Sequence, residues 1–301
     1  RAPGDAGERR AAALVRLHHR RPEEGPLASG AVGLGRLAEP ARIVGAVSTA
    51  LEGRPIRQPD PALRPPALQA ARQRDLDGWH VVVTCGGTVE PIDPVRFIGN
   101  RSSGKMGVAI AAAAAERGAR VTLIHGRVEV PLPETATLVA AETAAQMREA
   151  VLSALGDADA LVMAAAVADF RPAQAAERKI GRSAGLTLEL EPTDDILAEA
   201  AAGAHARPAG ERPLIVGFAA ETGSLERAAE KAVRKRVDLL VANDVSADGS
   251  GFGSDTNRVT IIAPGRAPEE WPLLRKAEVA QRLLDRLAAL RVAEGASLAE
   301  T

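Results

Sequence analysis

Several groups of residues in this chain have types and spacings suited to handling an anion. The run Asp93-Pro-Val-Arg-Phe-Ile-Gly-Asn-Arg-Ser-Ser-Gly-Lys-Met-Gly107 is polar and punctuated by glycine. Ser102, Ser103 and Gly104 fall at the start of an alanine-rich segment, where unpaired backbone N–H groups and the positive end of a helix dipole would converge on an anion. Gly99 to Met106 nearly matches G-x-x-x-x-G-K-[ST]. Met106 stands where the magnesium-binding hydroxyl should be, so a P-loop ATPase is not indicated. The plainer reading of the same loop is a helix cap made by Ser102 or Ser103, with Lys105 solvated.

Other candidates lie further along the chain. Lys231 and Lys235, four residues apart, project from one helix face, and an anion between them would relieve their repulsion; an ordinary basic face is the alternative. Asp169 follows a strand, either as a turn residue or as a carboxylate for a ribose hydroxyl or a metal. Lys179 sits in the polar stretch Glu177-Arg-Lys-Ile-Gly181 and on spacing alone reads as a solvated loop lysine. The glycine-rich run Gly249 to Asn257 is too polar to be core.

These groups need a frame, and the hydrophobic pattern supplies one. From Trp79 onward strand and helix signatures alternate. Strands are expected at His80–Thr84, Arg120–His125, Thr137–Ala140, Ala160–Ala166, Leu186–Leu190, Leu214–Phe218, Asp238–Ala242 and Arg258–Ala263. Helices are expected at Met106–Arg117, Ala144–Leu155, Ile196–Ala201, Leu225–Arg236 and Arg275–Leu290. Strands such as Leu161-Val-Met-Ala-Ala-Ala are apolar on both faces, which fits an α/β fold: a Rossmann-like, doubly wound, mainly parallel sheet flanked by helices. In such sheets ligands gather at the carboxyl ends of strands, where most of these candidates fall.

Composition narrows the function further. The chain has 301 residues, 46% of them hydrophobic, with 38 basic and 39 acidic side chains. Binding of nucleic acid through bulk charge is not indicated, and four Phe, two Trp and no Tyr leave little material for base stacking. A single cysteine, Cys85, rules out a disulfide within the chain and fits a cytoplasmic setting. No apolar run approaches the ~20 residues of a membrane span, and no signal peptide opens the sequence. Short helices are expected at Ala11–His18 and Ala41–Leu51. Proline, arginine and glutamine dominate residues 55–78, a linker composition. A domain boundary is expected near Trp79.

Taken in order, the motifs resemble a known family. The Asp93–Gly107 run, Ala164-Ala-Ala-Val-Ala-Asp-Phe170, Lys179-Ile180, Gly217-Phe-Ala-Ala-Glu-Thr222, Ala242-Asn-Asp-Val-Ser246 and Gly251-Phe-Gly-Ser-Asp-Thr-Asn257 look like the bacterial phosphopantothenoylcysteine synthetases. The likeness spans about Trp79 to Leu290. It implies a phosphopantothenate–cysteine ligase of coenzyme A biosynthesis, in which the carboxylate of 4′-phosphopantothenate is activated by CTP as an acyl-cytidylate and then captured by L-cysteine. Mg²⁺ accompanies the nucleotide, with metal ligands unassigned, and eukaryotic relatives can use ATP.

The resemblance also implies roles. Met163, Ala164 and Ala165 match the backbone that reads the base, and Asp169 the residue that holds the ribose. Asn100 matches the asparagine that contacts the acyl intermediate, and Lys179 the lysine that supports its formation. Asp195, Ile196 and Leu197 fall on a nucleotide-binding turn, Phe218 on the nucleotide site, and Lys231 with Lys235 on the triphosphate. Ser102, Ser103 and Gly104 form the phosphate and substrate loop. The family is dimeric, with the excursion around Lys179 reaching toward its partner. The sequence departs from the family at Val89, where arginine is common, at Asp194, where proline is common, and at Gly181, where a second lysine often follows Lys179.

In bacteria this ligase is usually fused behind a flavin-dependent decarboxylase. Leu27-Ala-Ser-Gly-Ala-Val-Gly-Leu-Gly-Arg-Leu-Ala-Glu-Pro40 resembles the end of that domain, with Ser29 where its catalytic cysteine belongs. Residues 1–54 are thus expected to be a decarboxylase remnant that neither binds FMN nor decarboxylates, 55–78 a linker, and 79–301 the ligase domain. Two other functions stay open: an NAD(P)-dependent oxidoreductase, opposed by the absence of G-x-G-x-x-G, and a non-catalytic nucleotide-binding remnant.

Overall fold

The structure, a computed structural model, describes residues 23–26, 32–36, 74–182, 185–221, 225–244 and 253–299. The chain divides into two compact units, Arg1–Arg64 and Pro65–Thr301. In the first, β1 (Glu23–Pro26) and β2 (Val32–Arg36) pair as an antiparallel hairpin. The helices expected at Ala11–His18 and Ala41–Leu51, and Ser29, lie outside the described residues.

The second unit runs β3 (His80–Cys85), β4 (Val89–Pro91), β5 (Phe97–Gly99), α1 (Lys105–Glu116), β6 (Arg120–His125), β7 (Thr137–Ala140), α2 (Ala144–Ala154) and β8 (Ala160–Met163). It continues through β9 (Phe170–Pro172), β10 (Leu190–Pro192), α3 (Ile196–His205), β11 (Leu214–Glu221), α4 (Leu225–Lys235) and β12 (Leu239–Asp244). The short strands β13 (Thr256–Asn257), β14 (Val259–Ile262), β15 (Glu269–Glu270) and β16 (Leu274–Arg275) lead into α5 (Lys276–Ala299).

Eight strands form the central sheet in the order β15-β14-β12-β11-β8-β3-β6-β7. The six from β12 to β7 are parallel, while β14 and β15 are antiparallel additions at one edge. The order reverses at β3: the chain first builds outward through β6 and β7, then returns to place β8 on the other side. A crevice opens at such a switch point because the flanking connections leave in opposite directions.

Alternation along each strand feeds two cores. Val81, Val83 and Leu123 pack with Ile110 and Ala114 of α1 and Leu283 and Leu287 of α5 on one face. Val82, Leu161, Ile215 and Leu240 pack with Met147, Ala200 and Ala232 of α2, α3 and α4 on the other. All six residues of β3 are buried, as expected of a central parallel strand covered on both faces. The expected doubly wound fold is the one observed.

Local differences have physical reasons. The strand expected at Leu186–Leu190 is absent: only Leu190 is extended, in β10, and it pairs with β9 outside the sheet. Leu186 and Leu190 are exposed, so their alternation has no opposing layer to meet. The strand expected at Ala160–Ala166 ends at Met163, because Ala164 to Ala166 leave the sheet at the switch point. The Asp93–Gly107 run is more ordered than a loop, since β5 lies within it and pairs with the preceding β4 as a hairpin. Asp93 seals the tip by accepting from Val95 N and Arg96 N, each at 2.8 Å. Burial opposes a charge on Asp93, but backbone N–H groups of Val95, Ile180 and Arg96 outweigh it and hold the carboxyl below its ordinary range.

Candidate functional site

A cavity of about 760 Å³ lies over the carboxyl ends of the central strands. One wall is the Asn100–Met106 segment, held close to the sheet by an intimate helix–strand contact. A Cβ at Gly107 would come within 2.4 Å of Cys85 Cβ and 2.7 Å of Thr84 O, so only glycine lets α1 approach β3 this closely. The helix starts from Gly104, whose φ of 77° is left-handed, and no side chain caps it. Ser102 and Ser103 are therefore not the caps that the plainer reading expected. Lys105 is not simply solvated either: its Nζ donates to Gly253 O at 2.7 Å and to Asp255 Oδ1 at 2.6 Å.

The floor is the segment Met163–Asp169, which is fixed by hydrogen bonds to its neighbours. Thr84 Oγ1 accepts from Ala165 N at 3.1 Å, Thr88 Oγ1 accepts from Ala168 N at 2.9 Å, and Thr193 Oγ1 donates to Ala168 O at 2.6 Å. Ala166 N donates to Gly86 O at 2.8 Å. Asn100 Nδ2 donates to Val167 O at 2.8 Å, joining the wall to the floor. Backbone fixed in this way can present a rigid edge to a planar ligand, while Asp169 lies exposed beside it.

The opposite wall comes from α3, β11 and α4. Asp195 caps α3 by accepting from Ala198 N at 3.1 Å and also accepts from Lys235 Nζ at 2.9 Å. Ile196, Leu197, Phe218 and Lys231 complete this side. Thus Asn100, Ser102, Ser103, Gly104, Met163, Ala164, Ala165, Asp169, Asp195, Ile196, Leu197, Phe218, Lys231 and Lys235, all nominated from the sequence, line one cavity. Lys179 does not. It is exposed, on the connection between β9 and β10, away from the lining.

Sequence reasoning missed Lys276, the first residue of α5, which lines the same cavity. The available signal was a cation at a helix N-terminus, where the dipole disfavours it. Asn243 and Asn257 also line the cavity. Cys85 is buried beside α1, and burial pushes its thiol up to about 12, so it does not supply a thiolate. Among the described residues no cluster of three or more His, Cys, Asp or Glu could hold a metal ion, and the lining carboxylates do not form a metal-ligand set. A magnesium ion would not be held by such a set here.

Residues 76–290 match the DNA/pantothenate metabolism flavoprotein C-terminal domain. The chain belongs to this family. It is 43% identical over 275 residues to the coenzyme A biosynthesis bifunctional protein CoaBC of Bacillus subtilis (strain 168), an alignment covering 89% of this chain and 61% of that protein. The chain thus spans about three fifths of that relative's length. The crystal structure of the C-terminal domain of a CoaBC protein superposes with a TM-score of 0.60 at 36% identity, covering 72% of this chain and 98% of that one. A Cab2 mutant solved in complex with phosphopantothenate-cysteine shares the fold, with a TM-score of 0.56 at 18% identity over 88% of this chain and 97% of the other. Among the described residues no helix is long and apolar enough to cross a membrane.

Proposed function

We propose that this chain is a ligase of coenzyme A biosynthesis that joins 4′-phosphopantothenate to L-cysteine at the expense of CTP. The observation that carries the reading is the cavity itself: residues from five separate motifs, spread from Asn100 to Lys235, meet over the switch point of the sheet. The name of the Bacillus subtilis relative and the ligand of the Cab2 mutant support the substrate class.

In this reading a carboxylate oxygen of the acyl substrate attacks the α-phosphorus of CTP, the bond to the β-phosphate breaks, and pyrophosphate leaves. The cysteine amine then attacks the acyl carbon, loses a proton to solvent, and expels CMP as the carbon–oxygen bond breaks. Charge grows on phosphoryl oxygens in the first step and on the carbonyl oxygen in the second, so positioning and nearby donors matter more than a protein nucleophile. The backbone of Met163–Ala165 presents donors and acceptors to the base, Asp169 accepts from ribose hydroxyls, and Lys231 and Lys235 neutralise phosphate. Asn100, tied to Val167 O, faces the acyl group. Mg²⁺, if bound with the nucleotide, would add positive charge beside Lys231 and Lys235, and no set of carboxylates among the described residues would hold it.

Lys179 completes the site across a homodimer, its exposed connection lying over the partner's cavity. Residues 1–54 belong to the end of a decarboxylase domain and 55–78 form a linker. The test is pyrophosphate release from CTP or ATP with 4′-phosphopantothenate, with and without cysteine. Release dependent on 4′-phosphopantothenate, followed by CMP when cysteine is added, is expected. Nucleotide binding with no release under any combination would instead support the non-catalytic reading.

A further inference from the structure

The cavity carries a second pair of lysines that the reaction above leaves unused. Lys105 opens α1 and Lys276 opens α5, so each places its charge at a helix N-terminus, where the dipole is already positive. The first turn of α1 holds no acid. That of α5 holds Glu278, whose Oε2 accepts from Arg275 N at 2.9 Å. Both amino groups grip the same short segment: Lys105 binds Gly253 O and Asp255 Oδ1, and Lys276 Nζ donates to Ser254 O at 2.5 Å. The backbone supports this arrangement, since Lys276 N donates to Asp255 O at 3.0 Å and β13 pairs with β16.

The charges do not balance within the cavity. Lys276 is half-buried, and burial together with the Lys105 charge holds its amino group below the ordinary lysine value. Asp255, the carboxylate paired with Lys105, has a side chain 86% exposed, so its charge sits largely in solvent. Two cations and two helix N-termini therefore face one carboxylate, which the hydrogen bond from Lys105 holds below its ordinary value but which is otherwise open to solvent, at a place that already lines the cavity.

We propose that Lys105 and Lys276 form a phosphate-binding subsite in which an incoming phosphate group displaces the Asp255 carboxylate from Lys105. Asp255 holds the phosphate's place while the subsite is empty, and the 253–257 segment stays anchored through Lys276 and the strand pair. The assignment of the phosphate's source rests on the ligase reading, which offers two: the terminal diphosphate of the nucleotide and the phosphate monoester of the acyl substrate. The recognising chemistry is the same for both.

Calorimetric titration of the full chain with inorganic pyrophosphate, 4′-phosphopantothenate and CMP tests this. Lys276→Ala should weaken one of the first two probes by about tenfold or more, the loss of one charge-assisted hydrogen bond, and leave CMP unchanged. Lys276→Arg should keep most of the affinity, and Asp255→Asn should tighten the same probe by removing the competing charge. Loss for pyrophosphate assigns the nucleotide end; loss for 4′-phosphopantothenate assigns the monoester. Unchanged binding of both phosphates, equal weakening of CMP, or weaker binding in Asp255→Asn would overturn the subsite. Should Lys276→Ala fail to fold, the Asp255→Asn titration decides alone. A wild-type chain that binds phosphate through Lys276 but turns over no substrate would sink the ligase reading and leave the subsite standing.

Discussion

Lys235 Nζ lies 2.9 Å from Asp195 Oδ1, the same oxygen that accepts from Ala198 N and caps α3. One carboxylate thus fixes the start of one helix and the end of another on the same cavity wall. The two duties separate by mutation. Asp195→Asn keeps an oxygen for the cap and should leave stability nearly unchanged, whereas Asp195→Ala should cost about 1 kcal/mol in urea unfolding. Equal losses in the two variants would show that charge, not capping, fixes this wall.

The contact between Gly107 and β3 should be intolerant of a single added carbon. Gly107→Ala places a Cβ 2.4 Å from Cys85 Cβ, so α1 must withdraw. A loss of about 1–3 kcal/mol is expected. Because the Asn100–Met106 wall moves with the helix, nucleotide affinity should fall in the same variant. A denaturation midpoint equal to that of the wild type contradicts the packing argument.

Cys85 should be silent toward thiol reagents while the chain is folded. Its thiol is pushed up to about 12 by burial, leaving almost no thiolate near pH 8. Labelling is expected only after addition of denaturant, and Cys85→Ala should retain pyrophosphate release. Fast labelling of the native chain would place the thiol in solvent.

Arg117 is buried to 1% exposure and bonds Asp75 at 2.5 Å and Asp285 at 2.8 Å, joining the end of α1 to α5 and to the segment before β3. The Arg117 hydrogen bond to Asp75 is the main cause holding that carboxyl below its ordinary value of 3.8, against the opposing effect of burial. A depressed carboxyl binds fewer protons folded than unfolded, so its contribution is present above about pH 4 and is lost as the pH falls through the lower folded value. Arg117→Ala should destabilise by about 3 kcal/mol at neutral pH, and the difference from wild type should shrink below pH 4. A constant difference across that range would detach Asp75 from the effect.

Lys179 makes a prediction about subunits. If it serves the partner's cavity, Lys179→Ala and Asn100→Ala chains, each unable alone to complete the ligation, should regain roughly a quarter of wild-type amide product formation when unfolded together and refolded at equal amounts. That follows because half of the dimers are mixed and one of their two cavities is intact. No recovery, with mixed dimers verified by mass, would confine Lys179 to a role in its own chain or to none.

Much of the site was legible because its parts are local. Ser102 to Gly104 precede a helix by sequence alone, Asp195 caps the helix it adjoins, and Met163 ends a strand that apolar content identifies, with Ala164 and Ala165 directly after it. Lys276 was missed, since its one signal was a cation at a helix N-terminus and nothing near it in sequence marks it as a neighbour of Lys105. The expected strand at Leu186–Leu190 failed for a related reason: alternation records which faces differ, not whether a second layer exists to cover one of them.

By itself the sequence determined the class of fold, through strands apolar on both faces alternating with helices, and it determined which short motifs carry polar chemistry. The tertiary structure decided which of them meet. Sheet order sets β8 beside β3 and β12 beside β11, so the carboxyl ends of these strands share one crevice although long stretches of chain separate them. It also brought Lys105 within 2.6 Å of Asp255, 150 residues away, and left Lys179 outside the cavity of its own chain. Periodicity reports the face a residue occupies, whereas a site requires neighbours across strands, and those follow from the packing of the whole sheet.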